Sequence, residues 1–281
     1  MKPFIEVTKP KQTMLLLVTF IVAYIVASDN INLIHFVISF SAVALAISGT
    51  TAINMVFDYD IDKIMRRTSV RPLPSGRLDK KTCLLYGFTL LVIGIIIGYV
   101  INPLFAYLLF LGFFIDILIY TILLKRKTPL SIIIGGIAGA IPSLAGWVAA
   151  CGYISLEGIL LASIVFLWIP SHIWYLAMYY YEDFKKAKIP AMPIVAGMQK
   201  TSWMIVLSAS AMLVVTASTA FFLSFNVYLM ILISMIAIYF IVKSLKFAIN
   251  PSKDNAMHMF KLANITLFAL YMAIFLSRVI V

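Results

Sequence analysis

The sequence predicts an all-α, polytopic membrane protein with nine transmembrane helices, and three observations predict it. Hydrophobic residues make up 63% of the chain and charged ones only 12%, which excludes a soluble globule. Nine apolar runs, at about 12–29, 33–57, 83–101, 103–124, 131–150, 157–181, 202–223, 225–247 and 259–280, have the length of roughly 20 residues that a helix needs to cross a bilayer. No stretch alternates like a barrel strand. If every run crosses, all of the 22 lysines and arginines except Arg278 fall on one side. That bias puts the N-terminus and the basic loops in the cytoplasm, with the chain in the cell membrane. One missing or extra span would scramble it. The net charge of +11 therefore reads as topology and phosphate binding, and not as a nucleic-acid surface. Residues 1–281 read as a single transmembrane domain.

The first helix follows Thr8-Lys9-Pro10-Lys11, where the proline sets a turn and the lysines suit headgroup anchoring. It reads as a retained span, because Ser28-Asp29-Asn30 is a poor cleavage site for a signal peptide. The second run carries Ser48-Gly49-Thr50, small residues that permit close packing, and ends in Asn54, Asp58 and Asp62. These three recur every four residues and so share a helix face, while Asp60 points elsewhere. Carboxylates at a membrane helix end are costly without cations against them, and convergent ones suit Mg2+ shared with a phosphate. The loop that follows supplies Lys63, Arg66, Arg67, Arg71 and Arg77. Arginine forks bind phosphate oxygens in pairs, and Pro72, Pro74 and Gly76 make the loop compact. Positive-inside anchoring alone explains only part of that charge.

The fourth run holds Asp116 in mid-span, where an ionisable group normally faces a cavity or partner. Tyr120 comes one turn later, ahead of Lys125-Arg126-Lys127, and its ring face could stabilise a cation or join the interfacial aromatic belt. The fifth run is rich in small residues, Gly135-Gly136, Gly139-Ala140 and Gly146-Trp147, which admit either a neighbouring helix or a flat ligand. The sixth contains Pro170, His172, Trp174 and Tyr175 and ends at Glu182-Asp183. His172 and Asp183 are eleven residues apart, about three turns, and so share a face on a continuous helix. Acids, lysines and prolines then repeat the order seen after the second run, as in an internal duplication. Cys83 and Cys151 fall near opposite membrane faces, too far apart for a disulfide. Runs seven to nine, Asn264 included, read as packing. His35 and His258 lie near helix ends and take no role, and there is no haem-attachment or zinc spacing.

The pattern Asn54-x-x-x-Asp58-x-x-x-Asp62 in a nine-helix chain resembles the UbiA superfamily of intramembrane prenyltransferases. Asp58 to Asp62 with Arg66-Arg67-Thr68 and Arg71-Pro72-Leu73, Tyr120-Thr121 with Leu124 to Pro129, Gly135-Gly136 with Gly139 to Pro142 and Gly146-Trp147, the positions Trp168, Pro170, His172 and Trp174, and Glu182-Asp183-Phe184 with Ala187, Ile189-Pro190 and Met192-Pro193 are similar to its haem-farnesylating branch, over roughly residues 8 to 200. Ala187 stands where many superfamily members carry a second aspartate after Asp183, which favours haem over a quinone precursor. Asp116 departs from the neutral or aromatic residue expected there.

The resemblance implies a UbiA-type fold around a central cavity and farnesyl transfer from farnesyl diphosphate to haem b, giving haem O. It implies Mg2+ on Asn54, Asp58, Asp62 and Asp183, with Tyr120 and His172 also in the catalytic set. Lys63, Arg66, Arg67, Arg71, Lys125 and Arg126 would take the diphosphate, and His172, Trp174 and Trp147 the haem. The implied partners are the lipid bilayer and a haem A synthase or a second copy of the chain. Two other readings stand beside it: transfer to an aromatic quinone precursor on the same fold, and a cation-coupled transporter using Asp116 with helices broken at Pro142 and Pro170.

Overall fold

The order of the helices follows the order of the apolar runs. The structure, a computed structural model, describes residues 1–279; residue 280, where the last predicted run ends, lies outside them. A short helix α1 (Lys2–Val7) leads into α2 (Pro10–Ala27) and α3 (Leu33–Phe57), and a short α4 (Tyr59–Ile64) follows. Next come α5 (Lys80–Ile101), α6 (Pro103–Leu124), α7 (Ser131–Cys151) and α8 (Leu156–Tyr179). Two short helices, α9 (Tyr181–Lys186) and α10 (Met192–Val195), precede α11 (Gly197–Phe222), α12 (Val227–Ile249) and α13 (Lys253–Val279). Among the described residues, nine of these helices are long and apolar enough to cross a membrane, and no strand occurs.

The predicted starts at 83, 202 and 259 fall inside longer helices that begin at Lys80, Gly197 and Lys253. Apolarity marks the part of a helix that meets lipid, whereas hydrogen bonding carries the helix on through its charged ends. Several starts are fixed by side-chain caps. Asn32 accepts from the His35 amide at 3.1 Å, Asp79 from Thr82 at 2.8 Å, and Asn102 from Leu104 at 2.7 Å. Each satisfies a helix amide that would otherwise lack a partner.

Small residues set the closest helix contacts. A Cβ added at Gly49 would lie 2.5 Å from the Gly87 carbonyl, so α3 and α5 meet backbone to backbone. Gly146 does the same for α7 against Phe20 of α2. Two apolar cores result, one among α2, α3, α5, α6 and α7, the other among α2, α7, α8, α11, α12 and α13. Packing of α2 against both α7 and α13 joins them.

Two features position the site. Both acidic helix ends break at the same place: α3 stops at Phe57 and resumes as α4, and α8 stops at Tyr179 and resumes as α9. The continuous helix assumed between His172 and Asp183 is therefore interrupted at Tyr180. The second half of α6, Phe114–Leu124, winds in wide turns with bonds from residue i to i+5, as in Lys125 N–H to the Tyr120 carbonyl at 2.7 Å. Wide turns of this kind are rare and recur near functional sites.

Candidate functional site

The hydrogen-bond ladder carries across the first break, from the Asp58 amide to the Asn54 carbonyl at 3.0 Å and from the Asp62 amide to the Asp58 carbonyl at 2.8 Å. Asn54, Asp58 and Asp62 therefore keep their common face, at 7%, 4% and 2% exposure. Charges that deep need partners, and they have them. Lys125 Nζ meets Asp58 Oδ2 at 2.5 Å, and Arg71 grips both oxygens of Asp62 at 2.9 and 2.8 Å. Asp60, on the outer side, pairs with Arg126 through two bonds of 2.7 Å, which lower its pKa.

Asn54 is held from two sides. Its Nδ2 donates to Thr121 Oγ1 at 2.7 Å, and its Oδ1 accepts from Lys9 Nζ at 3.3 Å. Lys9 reaches it from a left-handed backbone position, φ 45°, at the start of α2. Burial, then the nearby Arg71, lowers the Lys9 pKa to about 8 against the pull of Asp58 and Asp62. Lys125 is also penalised by burial, but Asp58 and Tyr120 outweigh it and its pKa is raised.

The loop is compact, as its prolines predict. Leu73 is buried, Thr68 donates to the Asp62 carbonyl at 3.1 Å, and Gly76 turns it at φ 74°. Arg77 ties it to α1 through Glu6 at 2.7 Å. A cavity of about 350 Å³ opens here, lined by Glu6, Lys9, Pro10, Met55, Arg71 and Pro72 among others.

The second acidic end lies across from the first. Asp183 is 7% exposed with Oδ2 unpartnered. Arg67, exposed like Arg66, sits 5.6 Å from the Tyr180 ring and within electrostatic range of both Asp62 and Asp183. Tyr120 stands 5.7 Å from Lys125 Nζ and fills the space over Gly135, where an added Cβ would come within 2.7 Å of the ring. Phe166 and Ile169 fill the space over Gly136 and Gly139 in the same way, so helix packing and not a flat ligand explains the small residues of α7. Asp116 also faces this region, within range of Lys9, Lys125 and Asp58.

The structure thus brings together Asn54, Asp58, Asp62, Arg67, Arg71, Tyr120, Lys125 and Asp183. Lys63 lies outside, stacked 4.4 Å from the Tyr59 ring, and Arg66 is exposed. His172 is on α8, within electrostatic range of Arg67. Trp174 is buried in the core with Nε1 unpartnered, and Trp147 covers Gly158, fourteen residues or about 21 Å along α8 from His172. Lys9 and Thr121 were not among the predicted site residues. Thr121 adjoins Tyr120 in the sequence, while Lys9 reads equally well as a headgroup anchor. Among the described residues, no three His, Cys, Asp or Glu side chains are gathered as a metal cluster; Asp58 is paired with Lys125 and Asp62 with Arg71.

Residues 15–265 match the model of the UbiA prenyltransferase family. A protoheme IX farnesyltransferase of Archaeoglobus fulgidus is 47% identical over 99% of this chain and 98% of its own length. One from Korarchaeum cryptofilum is 43% identical over 97% and 92%. Among solved structures, a digeranylgeranylglyceryl phosphate synthase superposes with a TM-score of 0.83 at 21% identity, covering 100% of this chain and 99% of that one. A UbiA homologue from Archaeoglobus fulgidus bound to DMAPP and Mg2+ gives 0.67 at 16%, covering 96% and 98%.

Proposed function

The chain belongs to the UbiA prenyltransferase family, and from that premise we propose that it transfers a farnesyl group from farnesyl diphosphate to a vinyl group of haem b. The allylic carbon–oxygen bond breaks and diphosphate leaves. The vinyl carbon forms the new carbon–carbon bond, and water adds to the resulting cation with loss of a proton, giving haem O. One observation carries the reading at the site: buried Asn54, Asp58 and Asp62 interleave with Lys9, Arg71 and Lys125 at the end of an apolar bundle. The substrate follows the curated relatives, which carry the name protoheme IX farnesyltransferase.

The donor set fits Mg2+. Asn54, Asp58, Asp62 and Asp183 offer hard oxygen ligands, and Asp58 Oδ1 and Asp183 Oδ2 are buried without partners. When bound, Mg2+ supplies Lewis-acid charge to the diphosphate leaving group. The chain's own residues do the rest. Lys9, Arg67, Arg71 and Lys125 hold the diphosphate, with Arg126 and the exposed Arg66 and Lys63 at the rim. Tyr120 turns its ring face to the allylic cation. The apolar walls keep out bulk water, which would quench that cation early. His172 meets the haem, with Trp174 behind it; Trp147 contributes packing from the far end of α7.

The basic bias of the loops supports an N-terminus and active site on the cytoplasmic side of the cell membrane, with residues 1–281 acting as one domain. Haem O stays membrane-bound, so the next enzyme, a haem A synthase, or a second copy of this chain would meet it within the bilayer. The test is to supply purified protein with Mg2+, haem b and farnesyl diphosphate and weigh the porphyrin. A gain of one farnesyl group plus one hydroxyl is expected. An unchanged haem alongside a prenylated hydroxybenzoate would move the assignment to a quinone precursor.

A further inference from the structure

Asn264 on α13 reads as packing from sequence, yet among the described residues it makes the one side-chain hydrogen bond to His172. Its Oδ1 lies 2.7 Å from His172 Nδ1. The neighbouring residue makes a parallel link, with Trp168 Nε1 donating to the Ala263 carbonyl at 2.8 Å. Two successive residues of α13 therefore fasten two side chains of α8 that are four residues apart. The imidazole packs among rings, with centroids 4.3 Å from Trp168 and 4.8 Å from Phe260. Its Nδ1 edge is taken by Asn264. Among the described residues no hydrogen bond reaches Nε2, and His172 is only partly buried.

The chemistry of the contact decides what Nε2 presents. An amide oxygen only accepts, so Nδ1 carries the proton and Nε2 keeps its lone pair. A haem offers two groups to a histidine: propionates, which need an N–H donor, and iron, which needs a lone pair. We propose that Asn264 is a positioning residue that holds His172 with Nδ1 protonated, so that Nε2 ligates the iron of the haem substrate and not a propionate. A histidine bound to metal commonly gives its other N–H to such an acceptor, which fixes the ring and raises its basicity. The inference rests on the reading of haem b as substrate.

Ferric and ferrous haem b, titrated into the purified full-length protein and followed by absorbance and resonance Raman, tests it. Loss of an acceptor beside a ligating histidine typically costs 10- to 100-fold in affinity, so Asn264→Leu should weaken haem binding by about that factor. Asn264→Asp, which still accepts from Nδ1 and does so more strongly, should keep the affinity and raise the ferrous iron–histidine stretching frequency. His172→Ala should abolish that band. A band that persists in His172→Ala, or an Asn264→Asp band at the wild-type frequency, overturns the proposal. So does Asn264→Leu binding haem as tightly as wild type. If the wild-type protein neither binds nor farnesylates haem b, it is the substrate reading that fails.

Discussion

Asn54 donates from Nδ2 to the Thr121 hydroxyl at 2.7 Å, and that hydroxyl in turn donates to the Asp116 carbonyl at 2.7 Å. The Thr121 proton is committed, so its oxygen can only receive, and the Asn54 amide is fixed with Oδ1 turned toward Lys9. A free amide could present either end. Thr121→Val removes the acceptor at nearly constant volume and leaves a buried N–H unpaired, at about 1–3 kcal/mol. The Mg2+ concentration that supports half-maximal turnover should rise, and the thermal stabilisation given by Mg2+ with pyrophosphate should shrink. Thr121→Ser should restore both.

Asp58 pairs with Lys125 through Oδ2 and has no partner on its buried Oδ1. Asp58→Asn keeps the shape, removes the charge and leaves Lys125 without its counterion. Farnesyl transfer should fall on the order of 10²-fold or more, while detergent-extracted yield and monodispersity stay near wild type. Full activity in this variant would remove Asp58 from the metal set.

A methyl group at Gly135 meets the Tyr120 ring at 2.7 Å. Gly135→Ala should force the ring from its place, at about 1–3 kcal/mol for overpacking. The loss should appear in kcat more than in KM for farnesyl diphosphate, because the ring is assigned to the cation and not to the phosphates. Steady-state kinetics on the two proteins separate these effects.

Lys9 gives a pH dependence of definite sign. Burial, with repulsion from Arg71, brings its pKa down to about 8, so it is charged below that pH and neutral above. A neutral Lys9 offers the diphosphate one cation fewer. kcat/KM for farnesyl diphosphate, which reports the free enzyme, should therefore fall as pH rises through about 8. Lys9→Arg keeps its charge throughout and should flatten that limb.

Hydropathy and charge bias made the nine spans and their order legible, because lipid demands long apolar helices and basic loops resist translocation. The acidic face at Asn54, Asp58 and Asp62 was legible too, since a four-residue spacing survives the break at Phe57. What stayed hidden depends on distance in the chain. Lys9 reaches Asn54 across 45 residues, and Asn264 reaches His172 across 92. No local pattern separates a lysine at a phosphate from one at a headgroup. The same holds for an asparagine that orients a histidine and one that simply fills space. The breaks at Asp58 and Tyr180 also left no proline or glycine to announce them.

The wide turns in the second half of α6 amount to surplus chain: a tighter winding of the same span would use fewer residues for the same rise. Excising one residue, for instance Leu118, should let that segment relax into ordinary turns and raise its melting temperature. It would also swing Tyr120 and Thr121 by about a hundred degrees around the axis, away from Asn54. The span trades durability for aim, and a sturdier version of this protein obtained that way would be an idle one.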